Sequence, residues 1–169
     1  QLRKALPAIV EHEGPVYIRL FRRQAENVFD DGYEFDLGKA DLLRDGSDVT
    51  LIASGVCVAN ALQAAETLAQ EGVSARVLNI HTIKPIDADA VIKAASETGA
   101  LVTAENHNVI GGLGSAVAEV LAEQRPTPLE RVGVKDHFGQ VGKAPYLMGV
   151  FGITAADIAK AARKAIARK

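Results

Sequence analysis

Two side chains able to do acid/base chemistry close one apolar run. Glu105 and His107 stand two residues apart in "ALVTAENHN", at the end of a stretch whose β-branched and small residues predict a buried strand. Residues spaced by two share a strand face, and ligand-binding groups gather at the C-terminal ends of parallel strands in open α/β sheets. Such a pair could move a proton or bind a polar group; a histidine hydrogen-bonded at a chain interface accounts for the same residues as well. His81 also ends an apolar run, with Thr82 and Lys84 beside it, and His137 lies on a glycine-containing loop next to Lys135 and Asp136. The single cysteine, Cys57, reads as a small buried apolar residue, and with no cysteine cluster neither an intrachain disulfide nor a zinc or iron–sulfur centre is expected.

Directly after His107, Gly111, Gly112 and Gly114 open a helical pattern, "GGLGSAVAEVLAEQ", where a dinucleotide's phosphates would sit. The spacing fails both phosphate-loop templates. A dinucleotide fingerprint begun at Gly112 places Val117 where a small residue is needed, and Ser115-Ala116 stands where a P-loop requires Lys followed by Ser or Thr. The glycines also follow the third strand of the repeating unit, not the first. Packing, with close approach of helix to sheet, is the better reading of these residues.

The elements that must position these groups alternate regularly from Asp48 onward. "DVTLIASG" predicts a buried strand, and "VANALQAAETLAQEG" a helix with Ala61, Leu62, Ala65, Leu68 and Ala69 on one face, ended by Gly72. "SARVLNIHTI" is the next strand, followed by a helix capped by Asp87. "ALVTAEN" and the glycine-led helix come next, then the strand "LERVGV", a glycine-rich connector, and a last helix beginning at Thr154 with Asp157 in its first turn. Strand–helix alternation of this kind predicts a three-layer α/β fold, a mostly parallel twisted sheet flanked by helices. Upstream, residues 1–13 follow a helical period interrupted by Pro7, "VYIRLF" at 16–21 is strand-like, and Arg22 to Gly46 reads as a connector with room for a short strand at Tyr33–Phe35.

Nineteen Lys and Arg against 21 Asp and Glu leave a formal charge of -2, too little field to draw nucleic acid or an anionic membrane. No run approaches the ~18 apolar residues of a membrane span, so a cytoplasmic, soluble protein is expected, with no nucleic-acid or membrane partner. Because the chain opens on Gln1 inside a helical pattern, a fragment or processed piece is expected.

Three stretches taken together, "GPVYIRLFRRQ", "VTAENHNVIGGLGSAVAEVLAE" and "VGVKDHFGQVGKAPYLMGVFGITAADI", resemble the last third of a transketolase-type thiamine diphosphate enzyme. The resemblance is strongest to the C-terminal subunit of split transketolases. It implies the end of a pyrimidine-binding domain at 1–22, a linker at 23–45 and a transketolase C-terminal domain at 46–169. In that family the arginine ending the first of these strands grips the sugar's phosphate, and Arg22 holds the matching position, with Arg19 and Arg23 as neighbours able to share or replace it. A guanidinium suits the task because its planar fork donates two hydrogen bonds while staying charged.

The family's thiamine diphosphate and Mg would be bound mainly by residues this chain lacks, so no catalytic, cofactor-binding or metal-binding residue is assigned here, and the chain alone is expected to be inactive. The resemblance implies an N-terminal transketolase subunit or domain as partner, a homodimer or heterotetramer, and a sugar phosphate as substrate. Two alternatives stay open: a non-catalytic α/β binding or regulatory module, and the equivalent domain of a 2-oxo-acid dehydrogenase β chain or deoxyxylulose-phosphate synthase. One departure from the family is "ASGVCV", where Val56 and Cys57 replace a polar pair that would satisfy a helix start.

Overall fold

A computed structural model describes residues 1–22 and 25–169. Among them, five strands form one sheet: β1 (Asp41–Arg44), β2 (Val49–Ala53), β3 (Ala75–Asn79), β4 (Leu101–Asn108) and β5 (Leu129–Val134), in the order β1-β3-β2-β4-β5. β2 pairs parallel with β3 and β4, and β4 with β5, while β1 runs antiparallel along the edge of β3. The helices are α1 (Leu2–Glu11), α2 (Cys57–Gln70), α3 (Ala88–Thr98), α4 (Leu113–Gln124), α5 (Ala144–Val150) and α6 (Ala155–Ile166). This is the mostly parallel, helix-flanked α/β sheet that the alternation predicts.

Strand β2 is apolar nearly throughout because both of its faces are covered. Val49, Leu51 and Ala53 point to one layer, with Ala61, Ala64, Ala65 and Leu68 of α2 and Ile158, Ala159, Ala162 and Ala165 of α6. Ile52 points to the other, with Leu78 of β3, Val91 and Ala95 of α3, and Leu113, Val117 and Leu121 of α4. Each large aliphatic side chain so buried contributes roughly 1.5–3 kcal/mol. Alanines dominate where α2 meets α6, which lets the two backbones approach closely. Ala69, expected on the inward face, is exposed and Leu62 only half-buried, while Ala64 is buried, so the covered stripe on α2 is rotated from the expected face.

The helix ends are set locally. Asp87 accepts a hydrogen bond from Ala90 N, and Thr154 and Asp157 form a reciprocal capping box at the start of α6. Gly72, at φ +80°, follows α2 and lets Val73 N reach Leu68 O. Val56 caps α2 with no side-chain hydrogen bond, the consequence expected of "ASGVCV".

Four local expectations are corrected. Residues 16–21 form no strand, since strand-like composition needs a ladder partner and none pairs with it among the described residues. Tyr33–Phe35 forms no strand either. The sheet instead begins at Asp41, inside the span expected to be connector: "DLLR" pairs with β3 as an edge strand, where alternation with charged residues is tolerated. The glycine-rich connector after β5 contains α5, which starts with Pro145 in its first turn and packs Met148 against the α2–α6 layer.

Candidate site at the carboxyl ends of β2 and β4

From β2 the chain adds β3 on one side and then crosses to add β4 and β5 on the other. The carboxyl ends of β2 and β4 therefore flank the topological switch point, where open α/β sheets ordinarily bind ligands. Here the chain fills both of the usual anchoring features with its own side chains.

The first is the N-terminus of α4. Pairing of β4 with β5 is regular to Ala104 and resumes at Asn108, so residues 105–107 bulge out of the ladder. Glu105 shares the strand face of Leu101 and Thr103, toward α4, and is only 2% exposed. Leu113 N donates to its Oε2 and Gly114 N to its Oε1, both at 2.8 Å. A carboxylate thus sits on the free amides of a helix start, the position a bound phosphate takes in nucleotide folds.

The glycines make the room. A Cβ on Gly112 would collide with Glu105 Oε2, and one on Gly114 would lie within 2.8 Å of Arg131 Cδ and 2.9 Å of Thr103 Oγ1. A Cβ on Gly133 of β5 would press within 3.1 Å of Glu105 Cγ. Burial pushes the Glu105 carboxyl above its ordinary range, opposed by the two amides and by the charges of His107 and Arg131. A diphosphate does not fit this helix start, because its amides are already taken by an anion.

The second feature lies between the strand ends. Arg19 Nη1 donates to Asn106 Oδ1 at 3.1 Å and Nη2 to Asn106 O at 3.3 Å. Asn106 Oδ1 would lie 3.9 Å from a Cβ built on Gly55, just past β2. Arg19 therefore joins the segment 15–21 to the switch point. Arg22 is exposed, three residues further on, and Arg23 lies outside the described residues.

The expected partners Glu105 and His107 are separated by the bulge. His107 is exposed, with Nδ1 3.4 Å from Asn108 O, and no hydrogen bond joins the two among the described residues. Asn108 ties the bulge to the next loop, donating from Nδ2 to Asp136 Oδ1 at 3.0 Å. His81 stacks on Phe35 with ring centroids 4.5 Å apart, and its Nδ1 lies 2.8 Å from Thr82 Oγ1. Burial lowers the His81 pKa, with Asp41 and Asp36 opposing, so a neutral ring is favoured. His137 is exposed and lines a groove with Lys135, Lys160 and Lys164. Cys57 is buried, and desolvation, together with the charge of Glu105 and against that of Arg19, pushes its thiol up to about 12, which leaves it unreactive. Among the described residues no three His, Cys, Asp or Glu side chains converge as metal ligands, and no helix is long and apolar enough to cross a membrane.

Two signals in the sequence bear on what was missed. A Glu seven residues before Gly112 in a strand–GGxG–helix arrangement is placed to cap the helix, and Gly133 marks the strand over which the bulge packs. Asn106 carries no signal of its own.

These features define a doubly wound α/β domain whose helix-start anion site is satisfied by an internal carboxylate and whose switch point grips an upstream segment of the same chain. The family described as "Transketolase, C-terminal domain" matches residues 38–158, and the chain belongs to that family. It is 57% identical over all of its 169 residues to the 6-deoxy-6-sulfo-D-fructose transketolase subunit SqwH of Clostridium sp. (strain MSTE9), covering 52% of that protein. It is 40% identical, over 96% of its length, to one of the subunits of the apulose-4-phosphate transketolase of Phocaeicola vulgatus, again covering 52% of the relative. A solved structure titled "Split gene transketolase, inactive beta4 tetramer" superposes with a TM-score of 0.94 at 46% identity, over 98% of this chain and 54% of that one. The chain thus spans about half the length of these relatives.

Proposed function

We propose that these residues form the C-terminal part of a transketolase that moves a two-carbon ketol unit between sugar phosphates. Residues 1–22 are the end of a pyrimidine-binding domain, followed by a connector and, from β1 onward, the C-terminal domain. The observation that carries this reading is that similarity to a transketolase subunit runs through residues 1–22 as well as through the α/β domain. Thiamine diphosphate, when bound, supplies the carbanion stabilisation the transfer needs. It and its Mg belong to residues outside these 169, consistent with a helix start already occupied by Glu105.

The contribution of this chain is assembly and a grip on substrate. Arg22 donates its guanidinium fork to the anionic end of the sugar. An N-terminal subunit or domain supplies the cofactor site, in a homodimer or heterotetramer, and His107, exposed at the switch-point edge, faces a neighbouring chain. The name of the 57% identical relative supports a second reading of the substrate, in which the anion is a sulfonate rather than a phosphate. Either tetrahedral oxyanion suits a guanidinium.

The test is Arg22→Ala in the complete, reconstituted enzyme. A lost charge-assisted bond of about 1.5–3 kcal/mol raises KM for a phosphorylated or sulfonated sugar by roughly ten- to a hundredfold, with little change for the same sugar lacking the anion. Equal losses for charged and uncharged sugars would refute the assignment. Comparing phosphate with sulfonate substrates in the unaltered enzyme separates the two readings.

A further inference from the structure

We propose that the outer edge of β5 is a docking site for an extended, acidic segment of another protein, which joins the sheet as a further strand beside the lysines of α6. At the two ends of β5, Leu101 N donates to Pro128 O and Val109 N to Val134 O, both at 2.9 Å, and parallel pairing with β4 fills the interval. Peptide groups alternate sides along a strand. Those of Pro128, Glu130, Val132 and Val134 therefore turn to β4, and those of Leu129, Arg131 and Gly133 turn outward. Leu129 O accepts from Arg168 Nη1 at 3.1 Å. The N–H and C=O groups of Arg131 and Gly133 have no backbone partner on this side among the described residues. Such an edge is a template for an added strand.

A groove of about 410 Å³ runs along it. Glu130, Arg131 and Val132, whose side chains belong to both faces of the sheet, all line the groove, so it opens on the strand's edge. Val132, Val150, Phe151 and Ala161 give it an apolar floor, and its cations are Arg131, Lys135, Lys160 and Lys164, with His137 beside them. The two carboxylates of the lining are already engaged. Glu130 pairs with Lys164 and Arg168, and Asp157 accepts from Thr154 N and Oγ1. Lys135 and Lys160 are exposed and form no ion pair among the described residues. An excess of positive charge, in a chain whose formal charge is -2, selects an acidic occupant. It also disfavours a second copy of this chain, since pairing β5 with itself about a twofold axis would bring two sets of α6 lysines together across the new ladder.

The upstream residues meet the sheet elsewhere. Gln1 Nε2 and Tyr33 Oη both donate to Asp41 of β1, and β1 stands four strand spacings from β5, roughly 19 Å. Arg19 meets the tip of β4. The opening of β5 is thus set by its place at the end of the sheet order, on the side away from β1.

The experiment uses the complete subunit reconstituted with its partner, and reads by fluorescence anisotropy the binding of a fluorescein-labelled peptide in which Thr alternates with Glu and Val. This peptide is expected to bind at least about tenfold more tightly than the same peptide with Lys in place of Glu. Lys135→Glu combined with Lys160→Glu is expected to weaken it about tenfold, with kcat and KM for the sugar unchanged and the thermal midpoint measured alongside. N-methylation of the peptide separates strand addition from simple ion pairing on an unaltered protein. Methyl groups on one alternate set of residues remove the N–H groups that face β5 and cost about tenfold or more, whereas those on the other set point away and leave binding intact.

The proposal is overturned if the acidic peptide does not bind the reconstituted enzyme, as it would not were the edge already filled by another part of the assembly or by a second copy. It is equally overturned if acidic and basic peptides bind alike, if the double charge reversal leaves affinity unchanged, or if the two methylated sets bind equally well.

Discussion

Glu105 is the side chain on which the placement of α4 depends, and its loss has a calculable cost. It is 2% exposed and accepts from Leu113 N and Gly114 N, both at 2.8 Å. Glu105→Ala strands two buried donors at about 1–3 kcal/mol each, so a loss of roughly 2–6 kcal/mol is expected, against a total of about 5–15 for an ordinary domain. Glu105→Gln keeps the volume and one accepting oxygen but turns an amide NH2 toward the second donor, for about 1–3 kcal/mol.

Gly112 tests the same contact from the other side. Its added Cβ would collide with Glu105 Oε2 and lie 2.7 Å from Asn108 O, so Gly112→Ala must displace the carboxylate. Combined with Glu105→Ala, the first clash disappears and only the backbone contact remains. The costs are therefore sub-additive, with a coupling of about 0.5–3 kcal/mol. Urea unfolding followed by far-UV circular dichroism, with all four proteins at one pH, measures both quantities. A Glu105→Ala cost within the ±0.5 kcal/mol of ordinary surface changes, or strict additivity with Gly112→Ala, refutes the capping role.

Two further outcomes follow from the α6 side of the sheet. Burial opposes ionisation of Glu130, but hydrogen bonds and charges from Lys164 and Arg168 outweigh it and hold the carboxyl below its ordinary 4.5. A carboxyl depressed on folding stabilises above its unfolded value and loses that contribution as pH falls through the folded one. Glu130→Gln should therefore flatten the acid limb of stability below pH 4.5; both cations are at least half exposed, so the effect is about 1 kcal/mol or less, read as the urea midpoint at several pH values. Thr154→Ala opens the capping box on α6 and should cost about 1 kcal/mol, read as a fall in the thermal midpoint; no fall would mean that Asp157 alone satisfies the helix start.

What could be read in the sequence was whatever is specified locally or by burial on both faces. Strand β2 has to be an apolar run because helices cover it twice, and Asp87, Thr154 and Gly72 mark helix ends by chemistry that acts within four residues. The segment "DLLR" became a strand only because the edge of β3 was there to receive it, and "VYIRLF", with better strand residues, did not, because nothing described pairs with it. At the candidate site, same-face reasoning for Glu105 and His107 assumed an unbroken strand. The bulge between Ala104 and Asn108 breaks the alternation of faces, and it is a matter of tertiary fit against Gly133 that composition does not encode. Asn106 was unreadable for a related reason: its partner lies 87 residues away.

The glycine loop follows from the same physics. Amides at a helix start need an acceptor, and glycines let that acceptor come close; in a dinucleotide fold the acceptor is a pyrophosphate, and here it is Glu105. The motif "GGLG" therefore reports close approach to a helix N-terminus and leaves open whose anion arrives. What decides is whether the chain itself has a carboxylate within reach. Because it does, the α/β domain is spared a ligand requirement for its own stability, and the switch point beside it is left to bind Arg19 instead of a nucleotide.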